Sequence, residues 1–290
     1  MKLSGRREST NVDDRRGMSG IKKASLGGLG GLIVAAIVML LSGGDLGSLL
    51  SSVDIGSLTG GEEQTTEQRE FTPEEQELAK FSRQILAGTE DVWTEVFKSM
   101  GKTYTPPKMV LYTGSVQTRC GNGSSSMGPF YCSADQCVYI DLSFFSSMKR
   151  QLGADGDFAY AYVIAHEVGH HVQNLLGTLG KAHQQMSQSS KTDANRISVR
   201  LELQADFYAG VWAYHDNKMF DSLEDGDLEE AIHCAQVIGD NYLQEKAQGY
   251  SQPETFTHGT SAQRMKWLKL GLSTGDVNRG NTFQVSDSQL

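Results

Sequence analysis

The sequence predicts an α+β fold, mostly helical, with a small sheet beside the first long helix and one transmembrane helix preceding it. Three observations predict it. From Asp157 onward the patterning is helical almost throughout, and only two short β-rich runs, 109–113 and 137–141, come before. Residues 24–41 are eighteen in a row without a charge, the short end of what spans a bilayer. Hydrophobic residues make up 38% of the 290 and charged residues 21%, so most of the chain can bury a core.

The N-terminal elements are justified by charge. Residues 1–23 carry seven Lys or Arg against three Asp or Glu, a balance of +4. The total is −9, which leaves nineteen bases against thirty-two acids, −13, for the remainder. So acidic a chain is poorly suited to neutralising phosphates, which argues against a nucleic-acid partner. Arg15, Arg16, Lys22 and Lys23 precede the apolar run, and no Lys or Arg follows until Arg69. That asymmetry predicts a basic cytoplasmic tail at 1–23, an anchor at 24–41 and the bulk of the chain outside the cytoplasm. A cleaved signal peptide is the competing expectation, but no small-x-small site follows the run cleanly. Gly27 and Gly31 have the GxxxG spacing of a weak homodimer contact between spans. Residues 42–70, rich in Gly, Ser, Thr, Gln and Glu, read as a flexible linker.

The folded part is expected over 71–275, with a C-terminal tail at 276–290. Thr72-Pro73-Glu74-Glu75 opens it with a capping box. Helices are expected at 73–87 and 90–100, split near Gly88, and then at 157–176, 193–215, 227–247 and 261–270.

The chemistry lies in two of these helices. His166 and His170 are four residues apart and point to one side of a helix, so two imidazoles can grip one metal ion. Glu167 stands beside them, placed to take a proton from water, the zinc peptidase arrangement. A catalytic zinc needs a third protein ligand, and position 176, where one class of such enzymes has His, is Leu. Downstream, Glu202 and Asp206 share a helix face inside an apolar stretch (Leu201, Leu203, Ala205, Phe207, Tyr208). Two carboxylates there need compensation. A metal at Glu202 and an imidazole N–H held by Asp206 supply it. His171 points about a hundred degrees away from His170, so it suits a structural role. His183, His215 and His233 have no partner motif. His258, before a short helix and followed by Gly259, is a candidate donor to a developing oxyanion, and Arg264 is a weaker candidate for that task or for orienting His258.

HEVGH followed by E-x-x-A-D resembles the gluzincins, whose third ligand is a Glu on a later helix. GPFYC (128–132), VYIDL (138–142), AYVIAHEVGHHVQNLLG (161–177), LELQADFYAG (201–210) and FTHGTSAQR (256–264) resemble the bacterial neutral zinc metallopeptidases, a membrane-anchored family. The resemblance covers about 70–275. It implies a zincin-like metallopeptidase domain with one Zn²⁺ per chain, here held by His166, His170 and Glu202. A peptidase of this kind acts on a protein or peptide, although the resemblance does not imply which; with the charge asymmetry above, the expected location is the bacterial inner membrane, single-pass, with the catalytic domain periplasmic or extracytoplasmic. A membrane-tethered domain that binds zinc without catalysis is the alternative, and hydrolysis of a non-peptide amide a poorer one.

Outside the cytoplasm disulfides persist. Cys120, Cys132, Cys137 and Cys234 allow three connectivities. Cys120 with Cys132, closing the Gly/Ser-rich loop, and Cys137 with Cys234 is the expected pairing.

Overall fold

The computed structural model describes residues 1–17 and 70–290. The apolar run 24–41, its Gly27/Gly31 pair and the linker up to residue 69 lie outside the described residues. Among the described residues six strands are formed: β1 (Val12–Asp14), β2 (Lys108–Tyr112), β3 (Ser115–Thr118), β4 (Gly121–Ser124), β5 (Phe130–Cys132) and β6 (Cys137–Asp141). Helix α1 (Pro73–Ser99) stands between β1 and β2. After β6 come α2 (Ser143–Leu152), α3 (Asp157–Leu175), α4 (Thr178–Met186), α5 (Lys191–Phe220), α6 (Asp227–Val237), α7 (Asp240–Gln248) and α8 (Ser261–Thr274). The mostly helical α+β expectation therefore holds.

The main sheet has the order β1-β2-β6-β5, with the first three strands parallel and β5 antiparallel to β6. Alternation along the strands divides its two faces. Met109 and Leu111 of β2 and Val138 and Ile140 of β6 join the core shared with the helices. Val110, Tyr112, Cys137 and Tyr139 face the other way and form a second apolar cluster with Cys132 and with Val116 of β3. The β3–β4 hairpin thus packs on the outer face of the sheet.

Thr72 caps α1 in a capping box with Glu75, as expected. The expected break at Gly88 is absent: α1 runs unbroken for 27 residues. Gly88 instead makes room for an ion pair, since a Cβ there would lie 2.7 Å from Arg6 Nη2 and 2.8 Å from Asp216 Oδ1. The expected 227–247 helix does break, at Gly239, which lies against Ser261 at the start of α8 and admits no side chain. Helices α3 and α5 cross at Gly169, where a Cβ would meet the Ala205 carbonyl oxygen at 3.0 Å. Residues beyond α8 return along α5: Gln204 donates to the Gly280 carbonyl at 2.8 Å and Thr282 to the Arg200 carbonyl at 2.7 Å.

The single-pass inner-membrane expectation is overturned. Among the described residues no helix is long and apolar enough to cross a membrane. Moreover, residues 1–17 belong to the same folded body as 70–290, where the topology required them on opposite sides of a bilayer. β1 pairs in parallel with β2 at Val12↔Met109, Asp13↔Val110 and Asp14↔Leu111. The Met1 ammonium reaches Asp157 at 2.8 Å, Glu224 at 2.9 Å and Asp227 at 3.2 Å. Arg6 makes a bidentate pair with the fully buried Asp216 at 2.6 and 2.9 Å. Arg16 sits 4.2 Å over the Phe71 ring, so residues 16 and 71 are neighbours. Of the basic residues read as a membrane-orienting signal, Arg15 and Arg16 pair with Asp13 and Asp14 within the fold, and Lys22 and Lys23 lie outside the described residues.

The cysteines are also partly corrected. Cys120 and Cys132 form a disulfide, as expected. Cys137 and Cys234 are both free and buried. They cannot meet, because β6 turns Cys137 to the outer cluster, whereas Cys234 on α6 lies in the helical core with its Sγ 3.7 Å from Met148 Sδ.

Arg6→Met leaves Asp216 buried without its partner, which should cost about 3–5 kcal/mol. Urea unfolding of the full chain measures this. A loss below about 0.5 kcal/mol, the range of ordinary surface substitutions, would show that residues 1–17 do not fold onto the domain.

Candidate metal centre and its cleft

Tyr162, Val163, His166, Glu167 and His170 recur at helical spacing along α3 and line a cleft of about 610 Å³. The imidazoles of His166 and His170 lie with ring centroids 4.9 Å apart and planes at 90°. Their Nε2 atoms converge on Glu202 of α5: His166 Nε2 is 3.1 Å from Oε2 and His170 Nε2 is 3.5 Å from Oε1. One ligand atom from each of the three lies within 4.8 Å of the others. A tetrahedral zinc ion with bonds of about 2.0–2.2 Å separates its donors by roughly 3.3–3.6 Å, so the donor set fits with little adjustment. Two imidazoles and one carboxylate leave one tetrahedral position for water or substrate.

The electrostatics favour a cation here. Burial alone would pull the His166 ring down, but Asp206 and then Glu202 outweigh it and lift it to about 10. His170 is likewise raised, by Glu202 against burial. For Glu202, burial acts upward, yet the two histidines prevail and hold the carboxyl well below its ordinary range.

Asp206 is fully buried and accepts from two helices, α3 and α8. His166 Nδ1 lies 2.8 Å from Oδ1, the Tyr162 hydroxyl donates to Oδ1 at 2.6 Å, and Arg264 of α8 donates from Nε and Nη2 at 2.8 and 2.9 Å. Burial opposes ionisation, but Arg264 and then His166 bring Asp206 down to about 2. The carboxylate therefore fixes the tautomer that leaves His166 Nε2 free for metal. The corresponding partner of His170 is Gln173, with Oε1 at 2.9 Å from Nδ1; Gln173 is itself held by the Leu201 carbonyl at 2.7 Å.

Glu167 is buried, lines the cleft and has no hydrogen-bond partner among the described residues. Burial is the main cause that pushes its carboxyl above the ordinary range, as suits a general base. His258 reaches the same cleft. Its Nδ1 is 3.1 Å from Asp240 Oδ1, and Asp240 Oδ2 accepts the backbone N–H groups of Thr257, His258 and Gly259 at 2.8, 2.7 and 2.9 Å. Burial would lower the His258 ring, but Asp240 outweighs it and raises it. Arg264, weighed as an oxyanion donor or a support for His258, is committed to Asp206 instead.

The remaining histidines fall outside the metal set. His171 is held by the Tyr131 hydroxyl at 2.9 Å and the Thr105 carbonyl at 2.7 Å. His215 binds the Gly275 carbonyl at 2.9 Å. His233 is exposed, and His183 is exposed on α4 at the cleft's edge. Sequence reasoning missed Tyr162, Gln173 and Asp240. The first two stand four residues before His166 and three after His170, a spacing that signals their shared face. Asp240 carries no such signal.

The family model described as "Putative neutral zinc metallopeptidase" matches residues 1–283. The chain belongs to that family. It is 51% identical over 295 aligned positions to the Escherichia coli (strain K12) protein YpfJ, covering 99% of this chain and 100% of that one. The Mycobacterium tuberculosis (strain H37Rv) protein Rv2575 and the Mycobacterium bovis protein Mb2605 are each 45% identical over 202 residues, 66% of this chain and 67% of theirs. All three are described as uncharacterized proteins. No solved structure matches. The family match runs from residue 1, which agrees with the N-terminal residues being part of the fold.

His166→Ala and Glu202→Ala should each abolish tight zinc binding. Asp206→Asn should weaken it by about 10–100-fold. Isothermal titration with zinc measures all three, and wild-type affinity in Asp206→Asn would contradict the role given to its carboxylate.

Proposed function

We propose that the protein is a zinc-dependent endopeptidase. The observation that carries this reading is the convergence of both His Nε2 atoms on Glu202, with an unpartnered, buried Glu167 beside them in an open cleft. A zinc ion held by His166, His170 and Glu202 supplies Lewis acidity that brings the pKa of water towards about 7. Glu167 then takes the proton of the attacking water and delivers it to the leaving amine. Its buried carboxyl, already raised in pKa, suits both transfers. His258, held through Nδ1 by Asp240, presents Nε2 to the cleft and donates to the oxygen that gains charge as the peptide carbonyl is attacked. Asp206, Arg264 and Gln173 touch no substrate and position the metal-binding imidazoles.

The lining of the cleft supports internal cleavage next to apolar residues. Among the described residues its charged groups are Glu167, Glu202 and Arg264, besides the histidines. Arg264 is occupied by Asp206, Glu202 is assigned to the metal and Glu167 to the attacking water, so no further Asp, Glu, Lys or Arg among the described lining residues is left to receive a chain's terminal ammonium or carboxylate. On α2, Phe144, Met148 and Leu152 follow one another at helical spacing along the wall, with Val163 of α3 beside them. A non-catalytic zinc-binding domain would have no use for a buried carboxyl at Glu167.

Glu167→Gln should keep one zinc per chain but lose peptide hydrolysis by a factor of about 10² or more. Wild type incubated with a peptide library should cut beside Leu, Phe or Met about tenfold more often than beside Asp, Glu, Lys or Arg. Mass spectrometry of the products reads the preference. Equal hydrolysis by wild type and Glu167→Gln would contradict the assigned base.

A further inference from the structure

We propose that the disulfide at Cys132 has two positions, with Cys120 and Cys137 as alternative partners, and that exchange between them ties or unties one wall of the cleft. Cys132 and Cys137 are direct partners in the β5–β6 ladder. Residues paired directly across an antiparallel ladder have Cα atoms about 4.5–5.5 Å apart and side chains on one face. That separation lies inside the range of about 4.4–6.8 Å that a disulfide accepts. The existing partner, Cys120, stands at a Cα–Cα distance of 5.8 Å. Cys132 therefore has two cysteines within bonding reach. All three sulfurs belong to one apolar cluster on the outer face of the sheet, where Val110, Tyr112 and Tyr139 shield them.

The exchange needs no external oxidant. The Cys137 sulfur, as thiolate, attacks Sγ of Cys132. The Cys132–Cys137 bond forms, the Cys120–Cys132 bond breaks, and its electron pair leaves on the Cys120 sulfur, which takes up the proton Cys137 released. One disulfide exists before and after. At rest the thiol of Cys137 donates to the Asp135 carbonyl at 3.3 Å, and burial, followed by Asp135, holds it above the ordinary thiol range. Little of it is thiolate, so the attack is slow, and Cys120–Cys132 is the bond the structure holds.

The consequence follows from where Cys120 stands. It lies between β3 and β4, and Thr118, Cys120, Gly121 and Gly123 line the cleft. With the bond at Cys120, this glycine-rich hairpin is fastened to β5. With the bond at Cys137 that covalent tie is gone; Arg119 still holds the turn, through the Asp135 carboxylate at 3.1 Å and the Ala134 carbonyl at 3.4 Å, and Val116 still packs on the outer face of the sheet. That the untied hairpin alters peptide access rests on the peptidase reading; the exchange itself does not.

The full-length chain carrying Cys120→Ser, equilibrated with oxidised glutathione, tests the exchange by alkylation and peptide mapping. The expected result is a Cys132–Cys137 cross-link with Cys234 the one alkylated thiol, and increased proteolytic nicking within 118–128. Alkylation of Cys132 and Cys137, or glutathione on either, would overturn the proposal. Wild type under the same conditions guards against a folding defect in the variant. It should yield a minor Cys132–Cys137 peptide together with alkylated Cys120, both lost in Cys137→Ser. Their absence in wild type would equally overturn it. The thiol map requires no hydrolysis, so this result and the outcome for Glu167→Gln fail or succeed separately.

Discussion

A fully buried carboxylate, that of Asp206, is the constraint on which the site depends. It draws Tyr162 and His166 of α3 and Arg264 of α8 onto α5 by four hydrogen bonds. An ionised carboxylate away from water is costly unless paired and fully hydrogen-bonded, so three helices must meet at one point for the fold to be stable. The same contacts orient His166. Stability and the orientation of His166 are therefore set by one group, and the crossing of α3 over α5 at Gly169 is the close approach that permits it. Further along α5, Gly210 packs against α8 at Gly271 with no space for a Cβ on either, which keeps Arg264 within reach.

Around this point the molecule divides its tasks by face. The inner face of the sheet and the helices enclose the core, and α3 presents one side to that core and the other to the cleft. The outer face carries the hairpin, the disulfide and the free Cys137. Tyr131 links the two: it lies on β5 between Phe130 and Cys132, turns inward, and its hydroxyl contacts His171 and Asn174 of α3 at 2.9 and 3.2 Å. His171, which points away from His170, thus attaches the helix carrying the two candidate metal ligands to the edge of the sheet.

Much of the site was legible because helical periodicity is a local property. The spacing of His166 and His170, and of Glu202 and Asp206, places each pair on one face whatever surrounds it, and the structure brings the two faces together. The capping box at Thr72 was readable for the same reason. What was not legible depends on distant partners. Gly88 reads as a helix break until Arg6 and Asp216 are seen to occupy the space it leaves. Gly239 ends a helix because of Ser261, twenty-two residues on. The basic residues of 1–17 match the charge pattern of a membrane-orienting segment, yet Arg6, Arg7 and Arg16 have carboxylate partners in the fold. Strands of three or four residues, such as β1 and β5, are too short for period-two alternation to show, and the pairing of Cys137 was misjudged because its facing is decided by that alternation.

The central claim is that two imidazoles and one carboxylate hold zinc with a position left open. X-ray absorption at the zinc edge of the metal-loaded full-length protein tests it most directly. The account predicts four light ligands, nitrogen or oxygen, at about 2.0–2.2 Å with two imidazoles among them, and the loss of one ligand in Glu202→Ala. A sulfur ligand at about 2.3 Å, or a coordination shell unchanged by Glu202→Ala, would contradict it.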